Sequence, residues 1–217
     1  MASISYNSAV TDKLEETQQA KHRWESYYRQ SPVNKLPWEE GRPSAQLVEL
    51  IESNLLQKGL ALDIGTGSGD NAIYLAQQGF ACSGIDISEA AIRQATKKAA
   101  QAGVACEFMV GNSTELPYAD NTFTLVFDRG CFHSISPQKR KVFIEGVHRI
   151  LKPRGKYLLI CFGMKSHQRF ESALLLSSED IQTLFTPLFK VDYIKEIPDG
   201  RRSFGSYFLL VLMEKET

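Results

Sequence analysis

Leu62-Asp63-Ile64-Gly65-Thr66-Gly67-Ser68-Gly69-Asp70 is the stretch on which the fold turns. The apolar run that enters it, 60–64, does not alternate with polar residues, as expected of a strand buried on both faces. The glycines that follow allow a sharp change of backbone direction and let a ligand approach the main chain closely. A helical pattern then begins at 71. Strand, glycine turn and helix in that order open a doubly wound α/β sheet.

Downstream, apolar runs at 81–85, 106–110, 122–127 and 156–161 alternate with helical patterns at 71–78, 89–102 and 137–151. Gly79 and Gly103 stand where helix C-caps belong and Ser88 where an N-cap belongs. Pro153-Arg154-Gly155 breaks the last helix from the fifth strand. This alternation predicts a mostly parallel sheet with helices on both faces and right-handed crossovers. The C-terminal part departs from it. The runs 189–197 and 206–213 are joined by Pro198-Asp199-Gly200-Arg201-Arg202, a loop rather than a helix, which predicts an antiparallel hairpin at one sheet edge.

Upstream, Ala20, Trp24, Tyr27 and Tyr28 recur at helical spacing between 11 and 28, and the prolines and Asn of 31–37 stop that helix. A second amphipathic stretch, 44–56, leads into the sheet. The expected organisation is an N-terminal helical lid, 1–43, on an α/β domain, 44–217, the whole forming one globular unit.

A carboxylate, Asp86, ends the second strand, where doubly wound sheets place the acid that accepts ribose hydroxyls. Glycine turn plus ribose acid implies an adenosine-containing cofactor at the strand ends. A dinucleotide turn, G-x-G-x-x-G/A, needs Gly or Ala at position 70, but Asp70 stands there, and Asp63 directly precedes the turn. Acids repel a pyrophosphate and suit a cofactor carrying an ammonium and a sulfonium. That description fits S-adenosylmethionine.

From about Gly59 onward the sequence resembles the class I S-adenosylmethionine-dependent methyltransferases. Asp63, Gly65, Thr66 and Gly67 match the family's first motif, and Asp86, followed by Ile87, its ribose acid. Gly111-Asn112-Ser113-Thr114-Glu115-Leu116-Pro117 is similar to the loop along the adenine, with Asn112 where the family most often has Asp. The resemblance implies a Rossmann-like, seven-stranded, mostly parallel sheet with an antiparallel C-terminal hairpin strand.

Two further segments resemble the thiopurine and the thiol or halide methyltransferases. Trp24-Glu25-Ser26-Tyr27-Tyr28 and Pro37-Trp38-Glu39-Glu40-Gly41-Arg42-Pro43 look like their N-terminal lid. Phe127-Asp128-Arg129-Gly130 looks like the Asp-Arg-Gly of the thiopurine enzymes, and Arg201-Arg202-Ser203-Phe204-Gly205 like their substrate-side loop. The resemblance implies that Trp24, Tyr28, Trp38, Gly41 and Asp128 contact the cofactor and that Arg129 meets an anionic or thiolate nucleophile. Physically, aromatic faces attract a sulfonium by about 0.5–2 kcal/mol. Alternatively the aromatics anchor the N-terminal helix, and Asp128 and Arg129 pair to fix their loop. His133 is a candidate general base because imidazole titrates near neutrality, or a structural histidine.

Composition sets the outer bounds. Of 217 residues 43% are hydrophobic, and Lys+Arg equals Asp+Glu at 25 each. No basic excess exists to meet phosphates, so no nucleic-acid partner is expected. The apolar runs are too short to span a bilayer and the first ten residues lack a leader pattern, so the expectation is a cytoplasmic protein without a membrane partner. Cys82, Cys106, Cys131 and Cys161 form no close pair in the sequence and fit free core thiols, and no metal is expected. Oligomeric state is not legible.

The expected chemistry is direct displacement at the sulfonium methyl by a small-molecule acceptor, a thiol or related soft nucleophile. A small-molecule O-, N- or C-methyltransferase shares every cofactor residue. An NAD-dependent oxidoreductase is opposed by Asp70 and the hairpin, and a non-catalytic cofactor-binding module stays open.

Overall fold

The structure is a computed structural model that describes residues 4–54, 56–165, 174–198 and 207–216, with backbone alone for 4–14. The parallel strands β1 (Leu60–Ile64), β2 (Ala81–Asp86), β3 (Cys106–Val110), β4 (Phe123–Arg129) and β5 (Leu151–Phe162) are joined by β6 (Phe189–Pro198) and β7 (Tyr207–Lys215). They form one seven-stranded sheet in the order β3-β2-β1-β4-β5-β7-β6. β7 enters between β5 and β6 and runs antiparallel to both. The Rossmann-like sheet with an antiparallel C-terminal hairpin is as the sequence predicts.

The unalternated apolar runs make sense once both faces are followed. Along β5, Tyr157, Leu159 and Cys161 enter one core, and Leu158, Ile160 and Phe162 the other. β7 divides in the same way, with Leu209, Val211 and Met213 opposite Phe208, Leu210 and Leu212. A strand's side chains alternate between faces, so only continuous apolar sequence fills two cores at once. Helices α5 (Pro137–Ile150) and α6 (Ser178–Phe185) cover the first core, through Phe143, Val147, Ile181 and Phe185. Helices α2 (Ala45–Glu52) and α3 (Asp70–Gln77) cover the second, through Leu47, Leu50, Ala72 and Leu75.

Local signals hold at α4 (Glu89–Ala102). Ser88 Oγ accepts the Ala91 N–H, and Gly103 closes the helix in the left-handed region at φ +68°. Elsewhere the structure corrects the sequence reading. The N-terminal helix α1 (Ile4–Gln30) starts earlier than position 11. Pro153-Arg154-Gly155 does not precede the fifth strand but bulges within it. Leu151 already pairs with Phe123, four residues loop out, and Lys156 resumes the ladder opposite Leu125. α6 follows a capping box at Ser177 and Asp180 that the sequence reading passed over. Cys82 and Cys106, far apart in sequence, are register partners on β2 and β3, both as free thiols. The Arg201–Gly205 stretch and most of 165–169 lie outside the described residues.

Two features place the site. β1 has β2 on one side and β4 on the other, so the chain reverses its winding there and leaves a crevice at the strands' C-terminal ends. The N-terminal segment then lies across that crevice, where Tyr28, Leu36 and Trp38 pack on Ala90 and Ala91 of α4.

Candidate active site

A cavity of about 700 Å³ opens at the crevice, within the size range of small-molecule sites. Gly65, Thr66 and Gly67 form its floor, and Asp86, Ile87, Asn112 and Ser113 one wall. Trp24, Tyr28 and Trp38 roof it, while Arg129 and His133 stand on the far side. The structure thus brings together most of the residues singled out from sequence.

The floor is tight. Gly67 has φ +54°, and a Cβ there would lie 2.5 Å from the Tyr28 hydroxyl and 2.6 Å from Glu39 Oε1. At Gly65, φ +68°, a Cβ would meet Cys131 Cβ at 2.8 Å. Both positions need glycine for backbone conformation and for space.

Asp86 accepts the Gly67 N–H at 3.0 Å on one oxygen and the Ser88 N–H at 2.8 Å on the other. A carboxylate oxygen has two acceptor positions, so each keeps one for a further hydroxyl. Burial pushes its pKa up to about 6, against the two N–H bonds, with Glu39 and Glu25 adding repulsion.

Three residues expected at the cofactor do not line the cavity. Asp63 is buried beneath the turn, where it accepts the Thr66 hydroxyl at 2.7 Å, and burial raises its pKa to about 8. Its neighbours Leu62 and Ile64 enter the first core, so strand alternation turns Asp63 to the opposite side. Asp128 is fully buried and accepts the N–H groups of Cys131 and Phe132 and the Tyr157 hydroxyl. It caps the short turn after β4 and does not pair with Arg129. Gly41 shapes the lid turn at φ +66°, while Glu40 and Arg42 beside it reach the cavity. Asn112 lines the wall, but its Oδ1 accepts from the Thr114 N–H and hydroxyl, so its amide holds the loop.

The lid is tied down by acids that the sequence reading did not single out. Glu39 accepts from the Ser68 N–H at 3.0 Å, the Ser68 hydroxyl at 2.5 Å and the Tyr28 hydroxyl at 2.5 Å. Trp38 Nε1 donates to the same Tyr28 oxygen at 3.0 Å. Glu25 accepts from Ser88 Oγ and the Ala90 N–H. Burial opposes its charge, yet these donors hold its pKa down to about 2. Arg129 ion-pairs with Glu40 and donates to the Trp38 carbonyl at 3.3 Å. A Trp-Glu-Glu-Gly run beside a predicted turn was the available signal, but its partners lie tens of residues away in sequence.

His133 is buried, and its ring centroid lies 4.4 Å from that of Phe162. The Phe162 N–H donates to Nδ1 at 3.2 Å. Burial, and then the charges of Arg129 and Arg140, lower its pKa to about 3. With the Nδ1 lone pair occupied, Nε2 carries the proton, so the ring offers a donor and not a base.

These features suit an adenosyl sulfonium: a hydroxyl-accepting acid, a close backbone floor and an aromatic roof with acids nearby. Residues 61–155 match the family model described as a methyltransferase domain. Those residues carry a methyltransferase domain. It is similar to the 2-heptyl-1-hydroxyquinolin-4(1H)-one methyltransferase of Mycobacteroides abscessus, at 29% identity over 67% of this chain and 66% of that protein. It is also similar to thiocyanate methyltransferase 1 of Brassica oleracea, at 29% identity over 60% of this chain and 58% of that protein. The match thus spans under two thirds of either relative. Among solved structures, the Burkholderia thailandensis 1,6-didemethyltoxoflavin-N1-methyltransferase, solved with S-adenosylhomocysteine, superposes with TM-score 0.79 at 19% identity over 94% of this chain and 90% of that one. This methyltransferase domain contains no cluster of His, Cys, Asp and Glu able to hold a metal among the described residues. No helix among them is long and apolar enough to cross a membrane.

Proposed function

We propose that the protein transfers the methyl group of S-adenosylmethionine to a soft nucleophile on a small molecule, with a thiol as preferred acceptor. When bound, the cofactor supplies a methyl carbon already activated by a positively charged sulfur. Asp86 would take the ribose hydroxyls, the backbone of Gly65 and Gly67 would hold the amino-acid part, and the Trp24, Tyr28 and Trp38 roof would exclude water. Fixing two reactants in line removes about 7–11 kcal/mol of barrier, so alignment accounts for most of the work. Arg129 keeps the lid seated and presents its remaining field to an anionic acceptor.

The observation that carries the thiol preference is the state of His133. Its Nδ1 is occupied and its pKa is depressed to about 3. The acids nearby are engaged by cations, Glu40 by Arg129 and Glu16 by Lys139. No side chain described at that end is poised to strip a proton, which favours an acceptor whose nucleophilic atom ionises readily by itself. Thiols ionise near ~8.5, far below ordinary alcohols. Thiocyanate, named in one relative, is a sulfur-containing anion. The other relative's name favours a second reading, transfer to a hydroxyl on a heteroaromatic ring.

The test is a panel of acceptors with radiolabelled methyl donor: thiols, selenols and thiopurines against hydroxyquinolinones, catechols and amines. Sulfur and selenium acceptors should give the fastest labelling. Faster labelling of a ring hydroxyl would favour the second reading. Donor binding with no transfer across the panel would leave a non-catalytic binding module.

A further inference from the structure

The cavity also extends along α1, past the Trp24 of its roof. One face of α1, with Glu16, Thr17, Ala20 and Arg23, meets the start of α5 there, with Ser136 and Lys139. Its charges are unequally matched. Lys139 donates to the Thr17 hydroxyl at 2.7 Å and faces Glu16 at 3.4 Å, and Arg129 is held by Glu40. Arg23 makes no ion pair among the described residues, and its Nε is buried without a hydrogen-bond partner. The Arg23 guanidinium only approaches the Trp24 ring, at 5.7 Å. Behind this end, Arg140 lies 5.3 Å from the Phe132 ring, with Nε and Nη2 likewise buried and without partners. Asp180 is the acid whose field reaches Arg140.

Arg23 lines the cavity with no ion pair among the described residues, so an anion brought to this end would meet a guanidinium that no carboxylate already pairs with. Resting on the reading of this cavity as a methyltransferase site, we propose that its far end binds an anionic group of the methyl acceptor, a carboxylate or similar oxyanion, through Arg23 and Lys139. Arg140 adds positive field from behind His133. The anionic group is separate from the atom that is methylated: it orients the acceptor by its tail while the nucleophile points to the cofactor. The predicted substrate class is a small, planar or chain-like thiol with an acidic tail.

The test uses the intact protein saturated with S-adenosylhomocysteine and two near-isosteric probes, 4-mercaptobenzoate and 4-mercaptobenzamide. Calorimetric titration at low salt should show the carboxylate binding about tenfold or more tighter, as expected of a charge-assisted contact. Arg23→Gln breaks no hydrogen bond or ion pair among the described residues and loses only the contact with the Trp24 ring, so it should remove most of that preference and leave amide affinity near wild type. Arg23→Lys should restore part of it, and Arg93→Gln, at the surface outside the cavity, should leave it intact. Equal affinities in the wild type, binding of neither probe, or an equal loss for both in Arg23→Gln would each overturn the proposal. Methyl transfer to the two thiols is measured separately. Charge discrimination without transfer counts against the thiol-acceptor reading alone; transfer without discrimination counts against the anion subsite alone.

Discussion

Glu39 of the lid and Ser68 of the glycine turn are bonded twice, through the serine's N–H and its hydroxyl. The roof of the site is therefore fastened to the loop that forms its floor, and the Tyr28 hydroxyl bonded to the same carboxylate extends the link to α1. Closure of the lid and order in the turn are one event in this arrangement.

Glu39→Gln tests that link. The amide keeps one acceptor oxygen but must turn an N–H toward donors that the carboxylate accepted. The expected cost is about 1–2 kcal/mol of lid docking, read as roughly tenfold faster amide exchange across residues 33–44. Unchanged exchange there would mean that the lid is held by its aromatic contacts alone.

Arg129→Ala should separate the lid from the cofactor site. It removes the Glu40 pair and the bond to the Trp38 carbonyl. A loss of about 1.5–3 kcal/mol in transition-state stabilisation, roughly ten- to a hundredfold in turnover, is expected, with donor affinity nearly kept. Wild-type values for both parameters would remove Arg129 from the acceptor side.

His133 should leave no mark on the pH–rate profile between 6 and 7, because its pKa lies near 3 and its free nitrogen is a donor. Rate should instead climb with ionisation of the acceptor thiol, and His133→Phe should keep that shape. A limb near pH 6.5 that vanishes in the variant would restore the general-base role.

The fold was legible wherever the determining interactions are local. Ser88, Gly103 and the unbroken apolar runs of β1 and β5 announce their elements because caps and face-sharing act within a few residues. The entry of β7 between β5 and β6 was not legible, since strand order depends on packing of two runs against a distant third. Within the site, Asp86 and the glycines could be read because a fixed backbone turn dictates their place. Asp63 and Asp128 end their strands at the crevice but are buried, and each carboxylate bonds the loop that follows it. Glu25, Glu39 and Glu40 were invisible for the opposite reason: each meets a partner brought near only by the finished fold.

Everything rests on Asp86 holding the sugar of the methyl donor. Titration of S-adenosylmethionine into wild type and Asp86→Asn, from pH 5 to 8, measures this directly. Hydroxyl donors bind the ionised carboxyl, whose pKa burial raises to about 6, so wild-type affinity should be level above that pH and fall as the group protonates below it. The variant should bind about a hundredfold more weakly, for the loss of roughly 3 kcal/mol, and show no such fall. Equal affinity of the two proteins across the range would contradict the account.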